Sequence, residues 1–238
     1  YKISLSPDNI IEERKVICIC YKWESSKHVK TLVWDENQDD KKMLEEFSKI
    51  CEKADEVVAH NGDNFDVKWL RTRCIYYRIP FPEKVYSYDT LKKSRSAFRF
   101  NSNKLDYIAK YLGVGEKSET GGFDLWVKTI NGDKKALKRM VDYCKNDVLI
   151  LESVFQEIEK YVQVNTHVGV LMGGEKWTCV ACGSSHMRFN GELVLRSGTK
   201  KYRLRCNECD KGHSVSSVVY RSFLHFKYGR VEKDSTNS

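Results

Sequence analysis

Apolar residues along this chain fall into two spacings, and the switches between them mark its elements. Residues 14–24 (RKVICICYKWE) and 28–36 (HVKTLVWDE) are dense in β-branched and aromatic side chains, with Ser25-Ser26-Lys27 between them. That predicts an antiparallel strand pair. Over 39–54 the spacing changes to a helical stripe through Met43, Leu44, Phe47, Ile50 and Cys51. Residues 55–60 (DEVVAH) read as a short buried strand, and Asn61-Gly62-Asp63-Asn64 as a turn. A helix is expected from Phe65 or Asp66 to about Tyr77, before Pro80 and Pro82. Val85–Tyr88 reads as another strand, 103–112 as a helix stopped by Gly113, and Gly121-Gly122 as a loop. The longest helical pattern runs from Asp133 to about Val162, with a break expected near Tyr143. This order predicts an α/β fold, a mixed sheet flanked by helices.

The chain has 238 residues, 41% of them hydrophobic, without internal repeats. It carries no apolar run of membrane-spanning length, which argues against a membrane partner. We expect an α/β domain over 1–165, a linker over 166–176 that includes Gly173-Gly174, a small β domain over 177–230, and a disordered polar tail over 231–238. Charge sharpens that division. Residues 175–230 hold 11 Lys/Arg against 4 Asp/Glu, whereas residues 1–174 hold 29 against 27.

Cysteine spacing gives the small domain a chemistry. Cys179-x-x-Cys182 and Cys206-x-x-Cys209 form two pairs separated by 23 residues, the pattern of a four-thiolate zinc ribbon. Four thiolates fill a tetrahedral ion, so such a site is structural. A pair of disulfides is the competing reading. It is disfavoured by nine cysteines, an odd number, and by the absence of a signal-peptide pattern at the start. Cys18, Cys20, Cys51, Cys74 and Cys144 read as reduced, mostly buried thiols, which favours a cytoplasmic setting. His186 and His213 read as ordinary residues of the small domain. Basic and aromatic residues interleave in Lys200-Lys201-Tyr202-Arg203-Leu204-Arg205 and again over 220–228. That pattern is expected to meet nucleic acid, with aromatic rings stacking on bases.

Two carboxylate patterns lie in the α/β part. In Asn61-x-x-x-Phe65-Asp66 a strand ends in a turn and Asp66 opens a helix. In Tyr143-x-x-x-Asp147 the phenol and the carboxylate share one helix face. In this order they resemble the second and third motifs of the DEDD 3′–5′ exonucleases, tyrosine subgroup. Tyr88-Asp89-Thr90-Leu91 and Lys104–Ala109 add to the likeness, which covers about residues 10–162. The resemblance implies a ribonuclease H-like fold and hydrolysis with two Mg²⁺ (or Mn²⁺) ions held by four carboxylates. It implies that Asp66 and Asp147 ligate metal, Tyr143 orients the attacking water, and Asn61 and Phe65 shape the substrate end. Single-stranded nucleic acid, DNA ahead of RNA, is the implied substrate, and replication or repair proteins the possible partners. The family's first motif, Asp-x-Glu, occurs nowhere in this chain. The opening strand is therefore expected to be missing and these residues alone to be inactive. A non-catalytic nucleic-acid-binding protein and a scaffold that recruits a polymerase or packaging machine are the alternatives.

Overall fold

A computed structural model describes residues 10, 12–83, 85–116, 122–162 and 166–229. Contacts part the chain between Tyr161 and Val162 into two compact units. Among the described residues no helix is long and apolar enough to cross a membrane.

In the first unit, strands β1 (Cys18–Tyr21) and β2 (Lys30–Val33) pair antiparallel, with Cys18 opposite Val33 and Tyr21 opposite Lys30. Helix α1 (Lys41–Lys53) buries Met43, Leu44 and Cys51, as the stripe requires. Strand β3 (Val57–Ala59) is joined through helix α2 (Asp66–Tyr77) to β4 (Ser87–Asp89), and the two strands pair in parallel. The hydrogen bonding thus falls into two two-stranded sheets, one antiparallel and one parallel. Helices α3 (Thr90–Ala97), α4 (Leu105–Leu112), α5 (Phe123–Ile130) and α6 (Lys134–Ile158) follow.

Helix α6 runs unbroken through Tyr143, correcting the expected break. It contains no Pro or Gly, and Asp133 caps its start by accepting from Lys135 N and Ala136 N. Its Ile150, Val154 and Ile158 form one core with Tyr88, Leu105, Ile108 and Ala109, against which Val58 of β3 packs. A second cluster joins α1 and α2 through Leu44, Leu70 and Cys74.

The second unit holds helix α7 (Val168–Leu171), strands β5 (Met187–Val194), β6 (Lys200–Cys206) and β7 (Gly212–Ser216), and helix α8 (Ser217–Tyr228). The strands form an antiparallel sheet in the order β5-β6-β7. The stretch 166–176, expected as a linker, contains α7 and is bound into this unit. Val168 N donates to Val180 O at 2.9 Å, and a Cβ on Gly169 would lie 2.0 Å from Thr178 Oγ1. Helix α8 stands where the sequence pattern shows only interleaved basic and aromatic residues. Its Phe223 packs with Trp177, Met187, Leu204 and Val215 in the unit's core. The tail expected over 231–238 lies outside the described residues.

Candidate functional site

Strand β3 ends at Ala59, and the chain turns through Asn61–Asn64 into α2. Asn61 takes a left-handed φ of 68°, which Asn tolerates better than most residues. Its carbonyl accepts from Asn64 N and Phe65 N. Gly62 allows the turn to close, since a Cβ there would lie 2.4 Å from the Ala59 Cβ and 3.8 Å from Asp66 Oδ2. The buried Asp89, at the end of β4, fixes this turn from below. It accepts from Asn61 N at 2.9 Å and Asp63 N at 3.4 Å while capping α3 through Leu91 N and Lys92 N. His60 adds a brace, with Nε2 donating to Asn103 O at 2.9 Å and Nδ1 lying 2.9 Å from Thr90 Oγ1.

Asp66 is the first residue of α2 and open to solvent. Protein crowding around it nevertheless desolvates its carboxyl and raises it above the usual carboxylate value, and the Asp89 charge adds to that rise. No described cation forms a salt bridge with Asp66. By contrast, Asp63 pairs with Lys92 at 2.6 Å. Beside Asp66, the Phe65 ring is 58% exposed, an apolar surface left to solvent at the mouth of the turn.

Tyr143 and Asp147 lie half-buried one turn apart on α6. Their helical positions continue the line of Ile150, Val154 and Ile158, the face packed against Tyr88 and Val58. Both motifs therefore border one core, Asp66 through the end of β3 and Asp147 through α6. The thiols of Cys18, Cys20 and Cys144 gather where β1 meets α6, and Cys20 Sγ lies 3.8 Å from Val141 O.

In the second unit Cys179, Cys182, Cys206 and Cys209 converge, all four sulfurs within 4.8 Å of one another. All nine cysteines are free thiols. The Sγ–Sγ separations of 3.5 Å (Cys179–Cys209) and 3.6 Å (Cys182–Cys206) are far from a disulfide. They approach the edge of about 3.8 Å that a Zn–S tetrahedron requires. Ala181 N donates to Cys179 Sγ and Glu208 N to Cys206 Sγ, each at 3.4 Å. Burial opposes ionisation of Cys206, but the Cys209 and Glu208 N–H groups and the adjacent thiols bring it below the usual thiol value. This donor set can hold one zinc ion. His186 lies outside it, bonded to Glu208 at 2.7 Å.

The sequence matches the family model described as RNase_H superfamily over residues 12–159. The chain belongs to the RNase H superfamily. No protein of curated function matches it. RNase H superfamily members are usually nucleases that use divalent metals. Asp66 and Asp147 supply hard oxygen of the right kind. Among the described residues, however, neither belongs to a group of three or more His, Cys, Asp or Glu side chains whose ligand atoms lie within 4.8 Å of one another. The described residues thus do not by themselves assemble a carboxylate metal centre of three or more ligands. The bracing by Asp89, His60 and Thr90 has no local signal in the sequence beyond the stretch Tyr88-Asp89-Thr90-Leu91.

Proposed function

We propose that the protein is a metal-dependent 3′–5′ exonuclease on single-stranded nucleic acid, DNA in preference to RNA, with a zinc ribbon as its second unit. The observation that carries the reading is Asp66, a solvent-open carboxylate raised by desolvation and by Asp89, with no cation among the described residues paired to it, on an RNase H fold. Folding alone does not favour such a group, whereas a bound divalent cation would stabilise its charged form. Asp66 and Asp147 are the proposed oxygen ligands, and Tyr143 orients the attacking water. Asn61 shapes the turn at the substrate end, and the exposed ring of Phe65 receives the terminal base.

One observation favours a second reading, a nucleic-acid-binding protein on a non-catalytic RNase H fold: among the described residues no group of three or more potential ligands includes Asp66 or Asp147. The two readings part in a digestion assay. The protein expressed from its own gene is incubated with a 5′-labelled single strand, with and without Mg²⁺ or Mn²⁺. Metal-dependent shortening from the 3′ end supports the exonuclease. Binding without shortening under every metal supports the second reading.

A further inference from the structure

The sheet of the C-terminal unit has two faces of opposite chemistry. Strand alternation sends Tyr202, Leu204 and Cys206 of β6 to one face, where they pack with Phe223 of α8 and its neighbours. The Tyr202 ring stacks on Tyr220 at 4.1 Å, and Tyr220 meets Phe223 at 5.8 Å. These rings are committed to one another, so the base stacking expected of Tyr202 is not available.

Lys201, Arg203 and Arg205 point the other way, and none of them is buried. Directly opposed residues share a face. Arg205 lies opposite Arg188 of β5, and Arg203 opposite the exposed Ser214 of β7. The open face therefore presents Lys201, Arg203, Arg205 and Arg188. Asp210 offsets one of these charges by accepting from Arg188 Nη2 at 2.8 Å and Arg205 Nε at 2.7 Å. Among the described residues Arg203 donates to a backbone carbonyl alone, Glu192 O at 3.5 Å. Asp210 bridges the opposed Arg188 and Arg205 and accounts for that pair within the fold. Among the described residues no carboxylate pairs with Lys201 or Arg203, and an anionic partner would offset their charge.

We propose that this open sheet face is a phosphate track that holds the backbone of single-stranded nucleic acid without reading its bases. The proposal rests on the nucleic-acid reading above and assigns it to one surface. Lys201, Arg203 and Arg205 repeat every second residue, about 6.8 Å apart along the strand, a regular row suited to successive phosphates of an extended chain. Three net positive charges give a salt slope of about −2, at about 0.7 per phosphate contact on single strands.

The test is fluorescence anisotropy of the zinc-loaded full chain with a labelled oligothymidylate, an abasic strand of equal length and a matched duplex, across a salt series. Both single strands should bind comparably. Lys201→Gln with Arg203→Gln should flatten the slope by about 1.4 and weaken binding roughly 25-fold at 0.1 M salt. Arg221→Gln with Lys227→Gln, the same charge loss on α8, should leave the slope unchanged, with zinc content and circular dichroism confirming the fold of each variant. An unchanged slope in the Lys201/Arg203 variant overturns the track while leaving the nucleic-acid reading intact. So does loss of binding to the abasic strand, or tighter binding of the duplex. A wild-type chain that binds none of the three overturns both.

Discussion

Replacing Arg73 by Met should cost the first unit more stability than any surface change. Asp40, at the start of α1, and Arg73, on α2, are 0% and 4% exposed. Arg73 Nε donates to Asp40 Oδ2 at 2.9 Å and Nη2 to Oδ1 at 2.8 Å, a two-pronged contact. Val16 N adds a third hydrogen bond to Oδ2 at 2.8 Å. One carboxylate thus ties together the lead into β1, the start of α1 and the middle of α2. Removing the guanidinium strands that charge in the interior, at a cost of about 3–5 kcal/mol. Against a total of about 5–15 kcal/mol, the expected fall in Tm is about 6–20 °C at 2–4 °C per kcal/mol.

The pH dependence gives an independent check. Burial alone would raise the Asp40 carboxyl, but Arg73 and the Val16 N–H hold it below its ordinary value. In the wild type its contribution is full above the unfolded value of about 3.9 and fades only as pH falls through the lower folded value. In the Met variant burial is unopposed by a cation and the carboxyl rises, so mild acid neutralises it in the folded state. The stability gap between the two proteins should narrow from pH 7 to pH 4. Urea unfolding followed by tryptophan fluorescence measures both effects. A loss below about 1 kcal/mol at pH 7, or a gap that does not change with pH, would refute the reasoning.

Asp66→Asn should stabilise the fold at pH 7 without added divalent cation. The raised Asp66 carboxyl makes its contribution to stability fall as pH rises from the unfolded value through the folded one. Thermal melts at pH 4 and 7 should show the gain at the higher pH alone. Asp89→Ala removes the acceptor for four backbone N–H groups, and should cost about 2 kcal/mol or more by the same unfolding assay. Cys206→Ser with Cys209→Ser, or zinc removal by a chelator, should unfold the C-terminal unit while the first unit keeps its own transition. Calorimetry showing one joint transition lost together would contradict that independence.

The sequence was most informative where one local pattern decides the structure. The β1–β2 pair, the strand–turn–helix that delivers Asp66, and the four cysteines were all visible as short patterns. Helix α3 was hidden because its sequence, TLKKSRSA, buries only Thr90 and Ser94, and its start depends on the Asp89 cap rather than on apolar spacing. Helix α8 resembles a basic-aromatic binding patch in sequence, since β-branched and aromatic residues make up much of SVVYRSFLHFKY. Interleaved charges and rings in 200–205 looked like one surface. The two-residue period of a strand puts them on opposite faces instead. Contacts such as Asp40–Arg73, separated by 33 residues, have no local signature.

The central claim is that Asp66 and Asp147 carry phosphodiester hydrolysis on this RNase H fold. Its most direct test compares the protein expressed from its own gene with its Asp66→Ala and Asp147→Ala variants on a 5′-labelled single strand in Mg²⁺. The account predicts stepwise loss from the 3′ end by the wild type, and loss of turnover by at least about 10²-fold in each variant with strand binding retained. Equal digestion by all three proteins, or digestion by none of them despite binding, would contradict it.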